Sequence, residues 1–235
     1  VEKKRAKIYL RPLILIYNIN IITKKTTTSI ILKVELPCNI NPNDFYDELY
    51  KKRITHEFIR NELGLPEDIK IKLNGTFTRG LCYTDDNNNV CKIRFKIQTA
   101  VWMEPETGKW KYVSIFPCFI KKYCALSLHM LENISSRERK GDKIFDHIDD
   151  PEKLFDCEDS IVRVFLRFEK AFKISDPCVL LNSRYIEMGN EPINLNTSSI
   201  ASKRFKKLYQ LILTARVYFG IETGVLSLTN SIICL

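Results

Sequence analysis

In the stretch EDSIVRVFLRFEKAFK, residues 158 to 173, Arg163, Arg167, Lys170 and Lys173 follow one another at steps of four, three and three. Helical periodicity places these cations on one face and Ile161, Phe165, Phe168 and Phe172 on another. An arginine so displayed meets a phosphate, or guanine O6 and N7, with two hydrogen bonds from its planar fork. Any amphipathic surface helix shows the same pattern with its charges simply hydrated. A second basic stretch, SKRFKKLYQLILTARVYFG from Ser202 to Gly220, holds Lys203, Arg204, Lys206, Lys207 and Arg216 and no acid. These face away from Phe205, Leu208, Leu211 and Ile212, as suits contacts to phosphates, which add affinity without reading sequence. Lys121 and Lys122 form a third, smaller basic site.

Other chemistries find less to work with. The carboxylates Asp142, Asp146, Asp149, Asp150 and Glu152 lie close together in sequence, whereas metal-assisted strand cleavage needs carboxylates converging from separate elements. They read as helix caps and a solvated loop. His56, His129 and His147 fall in different expected elements and offer neither metal spacing nor a triad partner. No phosphate-cradling loop, dinucleotide fingerprint or nucleophile elbow occurs, and the chain has only 8 glycines. Its 8 cysteines include no Cys-x-x-Cys: Cys82 and Cys91 are separated by eight residues, Cys118 and Cys124 by five. Neither a metal site nor a cofactor is expected, and the catalytic residues, if any, are unknown.

The elements that position these residues follow from periodicity. Residues 8 to 35 alternate β-branched and polar types and read as two extended segments split by TKKTTTS. Asn43 or Asp44 caps an expected helix through DFYDELYKKRITHEFIRNEL, ending at Gly64. Strand patterns at 69–83 and 90–101 flank the turn DDNNN, a hairpin with Ile69, Ile71, Leu73, Ile93, Phe95 and Ile97 on a buried face. MEPETGKW is another turn and KYVSIF another strand. After Pro117, IKKYCALSLHMLENI is helical in pattern, and DPEKLFD has Asp150 as cap and Pro151 at the first helical position. Asp159 or Ser160 caps the basic helix at 159–173, and Ser202 caps the one that Gly220 closes. The reading is an α+β chain: residues 1–115 form a β-rich module and 116–235 a helical one.

With 235 residues, 45% of them hydrophobic, the chain can bury a core, and 37 Lys and Arg against 28 Asp and Glu give a charge of +9. That balance favours an anionic partner. The opening segment has a basic start and apolar residues, but Arg11, Asn18 and Asn20 interrupt the run, so neither a secretory signal nor a membrane span is expected. A reducing cytoplasm is the expected compartment.

The pair PEKLF and SIVRVFLRFEKAF, joined by a short turn, has the layout of a helix-turn-helix. The segment VSIFPCFIKKYCALS, with Phe116, Pro117, Phe119, Ile120 and Tyr123, resembles a motif of a bacterial family of transposon-associated proteins of unassigned function; Lys122 stands where that family often has a second proline. EDSIVRVFLRF resembles the same family's recognition helix through Glu158, Asp159, Ser160, Ile161, Arg163, Phe165, Leu166, Arg167 and Phe168. The resemblance spans residues 55 to 172 and implies a zinc ribbon followed by a helix-turn-helix. A ribbon needs four thiolates about 2.3 Å from one zinc ion, so the hairpin here is expected to have lost its metal. Duplex DNA is then the expected partner, through Arg163, Arg167, Lys170, Lys121, Lys122, Lys203, Arg204, Lys206 and Lys207. A membrane is not expected and self-association is left open. The rival reading is a structural or protein-interaction module with solvated basic faces.

Overall fold

The computed structural model describes residues 28–34, 41–85, 87, 89–148, 158–172, 176–233 and 235. The α+β class is seen directly: a four-stranded mixed sheet occupies the N-terminal half and helices the C-terminal half. The strands β1 (Thr28–Leu32), β2 (Ile71–Thr84), β3 (Val90–Met103) and β4 (Trp110–Pro117) lie in the order β1-β4-β3-β2, with only the β1–β4 pair parallel. Of the two extended segments expected at 8–35, one is β1; the other lies outside the described residues.

The β2–β3 hairpin forms as its sequence directs. Asp85 closes it, its carboxylate accepting hydrogen bonds from the Asn87 and Asn89 amides at 2.9 and 2.8 Å. Ile69, Ile71, Phe95 and Ile97 are buried and Ile93 partly so, but Leu73 is 44% exposed, against expectation. A register shift follows between Leu73 and Thr76, with Gly75 at φ 74°. An extra residue there moves the following side chains relative to the core.

Against this sheet packs a helical run: α1 (Pro42–Asp44), a π-helical turn (Phe45–Tyr50) and α2 (Lys51–Arg53). Phe45 and Tyr50 meet Phe95 at 5.1 and 5.6 Å between ring centroids, and the Tyr50 hydroxyl donates to the Ile115 carbonyl. The single helix expected through residue 63 is instead broken. Thr55 is extended and its hydroxyl accepts the Phe58 amide at 3.0 Å, which starts α3 (His56–Leu63) anew. Gly64, at φ 61°, ends that helix as expected.

The helical half holds α4 (Leu128–Arg137), a 3-10 turn (Ile144–His147), α5 (Glu158–Ala171), α6 (Pro177–Glu187), α7 (Thr197–Ala201), α8 (Lys206–Phe219) and α9 (Val225–Ile233). Two expectations are corrected here. Residues 118–127 are turns and bridges rather than helix, because Ser127 caps α4 only at its own position, accepting the Met130 amide. The last basic helix begins at Lys206, since Ser202 is the C-cap of α7. PEKLF and the caps Asp150 and Pro151 lie outside the described residues.

Two apolar clusters result, one around Phe45, Tyr50, Phe95 and Phe119, the other around Leu131, Phe165, Phe168, Leu208 and Leu226. The boundary near residue 115 falls inside β4, and the clusters interlock beyond it. Cys82 and Val90 of the hairpin lie in the helical cluster, while Phe119 and Ile120 lie in the sheet cluster. Among the described residues no helix is long and apolar enough to cross a membrane.

Candidate nucleic-acid interface

The periodicity of α5 sorts its side chains as the sequence requires. Ile161, Phe165, Phe168 and Phe172 are 0, 0, 1 and 6% exposed, while Arg163, Leu166, Arg167 and Lys170 face solvent. Lys173 lies outside the described residues. Phe165 stacks on Phe205 at 4.8 Å, and Phe172 meets the edge of Phe168 at 6.1 Å, so the helix is anchored through rings. Glu169 is turned toward α8, where its carboxylate accepts the Leu208 amide at 2.8 Å. Glu169 is i+4 from Phe165 and i−3 from Phe172, so it flanks the buried stripe, and from 163 to 170 the outward face carries Arg163, Leu166, Arg167 and Lys170. Arg163, Arg167 and Lys170 enter no hydrogen bond or ion pair among the described residues.

A second layer of cations meets α5 from the segment after β4. The Lys121 ammonium stands 4.9 Å from the Phe168 ring centre. Arg79, on β2, donates to the Lys121 and Cys124 carbonyls, the former at 3.4 Å. Burial pulls the Arg79 pKa down, but a guanidinium stays protonated. Burial pushes the Cys124 thiol up to about 11, even though Arg79, Lys121 and Arg167 all act on it in the opposite sense. Cations from β2, α5 and the segment after β4 therefore all act on one buried sulfur. Lys122 lies 5.2 Å from the ring centre of Tyr123, which is 78% exposed.

The cations at and before the start of α8 are less uniform than their spacing suggests. Lys203 is 7% exposed; its ammonium donates to the Ser136 carbonyl at 2.6 Å and sits 4.5 Å from the Tyr209 ring centre. Arg204 is exposed and reaches the Asp142 carbonyl at 3.5 Å, Lys206 is exposed, and Lys207 lies in the field of Glu169. Arg216 pairs with Glu222 at 3.6 Å. Sequence reasoning missed Arg79, read only as a strand residue, and the exposure of Leu166, which the pattern could have signalled as an apolar side chain on the outer face.

The remaining polar constellations are structural. His147 hydrogen-bonds Asp142 at 3.1 Å, and that carboxylate also accepts the Arg139 amide. His129 meets Ser227 at 3.2 Å, but Ser227 is 5% exposed and closed off from solvent. Among the described residues no three His, Cys, Asp or Glu side chains are grouped to hold a metal. An open groove of about 340 Å³ beside Leu81, Cys82 and Ala125 carries Lys92 and Arg94 and no carboxylate. Comparison of the chain with protein-family models, curated proteins and solved structures finds no match.

Proposed function

We propose that the protein binds duplex DNA through the outer face of α5, as a non-catalytic DNA-binding component of a bacterial mobile element, transposase-like in its associations. One observation carries this reading: from 163 to 170 the solvent-facing positions of α5 are Arg163, Leu166, Arg167 and Lys170, the three cations have no described anionic partner, and Glu169 is engaged with the Leu208 amide. A merely solvated helix face usually mixes both signs, because i,i+4 pairs of opposite charge support the helix. In this reading α5 lies in the major groove, where Arg163 or Arg167 reaches a base or a phosphate and exposed Leu166 meets a thymine methyl or a sugar. Lys121, Lys122, Arg204, Lys206 and Lys207 neutralise flanking phosphates. Lys203 drops out of that set because its ammonium is committed to Ser136. The reading requires a compartment that holds DNA, the bacterial cytoplasm.

The test is a salt titration of duplex binding by R163A/R167A/K170A. Loss of up to three phosphate contacts lowers the slope of log affinity against log salt by up to about 2.7, at ~0.9 for each contact. Circular dichroism should show an intact fold, since exposed substitutions change stability by no more than about 0.5 kcal/mol. Unchanged affinity and slope would mean the face is only hydrated, and the interaction-module reading would take its place.

A further inference from the structure

Tyr123 is the one non-glycine residue with positive φ among the described residues, at 63°. It occupies the third position of a turn that the Cys124 amide closes on the Lys121 carbonyl at 3.1 Å. Positive φ at that position favours glycine or asparagine, and an aromatic residue there is strained. Strain of this kind is normally offset by packing, yet the Tyr123 side chain is 78% exposed. Its described contact is with the Lys122 ammonium, 5.2 Å from the ring centre. The fold therefore gains nothing evident from the ring.

The location supplies a reason. The turn that carries the ring begins at Lys121, whose ammonium stands 4.9 Å from the Phe168 ring centre, so the turn abuts α5. A flat ring held clear of the protein among cations fits a nucleotide, whose base offers a π-face and whose phosphate offers charge. An acidic peptide would satisfy the cations but has no use for the ring. Bases inside an intact duplex are stacked on one another, so the ring reaches a π-face without an unstacking cost only where a base is already displaced. Building on the DNA-binding reading above, we infer that Tyr123 is a base-stacking residue of this surface, so that the protein prefers DNA with an unstacked base to a fully paired duplex.

The experiment compares two duplexes of equal length by fluorescence anisotropy, one fully paired and one carrying a single unpaired adenine. The native protein should bind the second about tenfold more tightly, within the range that base–aromatic stacking supplies. Y123G and Y123A should bring the ratio to one while leaving affinity for the paired duplex and its salt slope unchanged, and Y123F should keep the preference. Y123G should also melt at an equal or higher temperature, by up to about 4 °C, because glycine accepts positive φ. A native ratio of one, or a preference that survives in Y123G, overturns the stacking role and leaves the duplex reading standing. A Y123G protein that melts several degrees lower shows the ring to be a packing element and overturns it too. Failure of the native protein to bind either DNA overturns both readings.

Discussion

Glu138 shows how one buried carboxyl can tie stability to pH. It is 1% exposed and its Oε1 has no hydrogen-bond partner. Burial lifts its pKa to about 7, outweighing Arg204, the Phe205 amide and Lys203, which pull it down; Asp142 adds a smaller upward push. The folded state thus holds a proton that the unfolded chain releases nearer 4.5. Stability from this group is complete below 4.5 and is lost as pH rises toward 7, an effect of the order of 3 kcal/mol. Urea denaturation from pH 4.5 to 7.5 should show this decline in the native protein, and E138Q should flatten it. An identical pH profile in E138Q would show that Glu138 keeps an ordinary carboxylate pKa.

At the scale of elements, α8 opens with Lys206 and Lys207 and has no acid in its first turn. Cations at a helix N-terminus oppose the positive end of the macrodipole. The compensating group comes from another helix, since the Glu169 carboxylate of α5 accepts the Leu208 amide. This inter-helix cap, together with the Phe165–Phe205 stack, fixes where α8 begins and how it abuts α5. E169A should cost about 1–2 kcal/mol, as for loss of a helix cap with its charge, and E169Q less, measured by chemical denaturation. A neutral E169A would mean that water replaces the cap without cost.

At the scale of the whole molecule, sheet and helices are joined by backbone and side-chain ties as well as by apolar contact. The Cys82 amide donates to Ala125 and its carbonyl accepts from Ser127, at 2.7 and 2.8 Å. The buried Asn230 side chain of α9 donates to the Cys118 and Ile120 carbonyls at 2.8 and 3.2 Å. Breaking either set leaves buried polar groups unpaired, which couples the two halves. Both tryptophans, Trp102 and Trp110, belong to the sheet. Their fluorescence should therefore report the same urea midpoint as far-UV circular dichroism, which is dominated by helix. Separate midpoints would show two independently stable units.

The hairpin and the two faces of α5 were legible in the residues because their signals are local. DDNNN between alternating apolar positions specifies a turn, and four apolar residues at helical spacing specify a buried stripe whatever they pack against. The class of chain and its basic balance follow in the same way, from composition and period. Where each charged side chain points is another matter, since partners distant in sequence decide it. Lys203 looked like its neighbours until Ser136, 67 residues earlier in the chain, drew it inward, with the nearby Tyr209 ring against its ammonium. Arg79 became part of the basic surface only when β2 met the segment after β4, and the partner of Glu169, the Leu208 amide, is supplied by α8, 39 residues away. The break at Thr55 rests on a local cap that the helical period alone does not reveal, and the left-handed Tyr123 turn departs from the local preference of an aromatic residue.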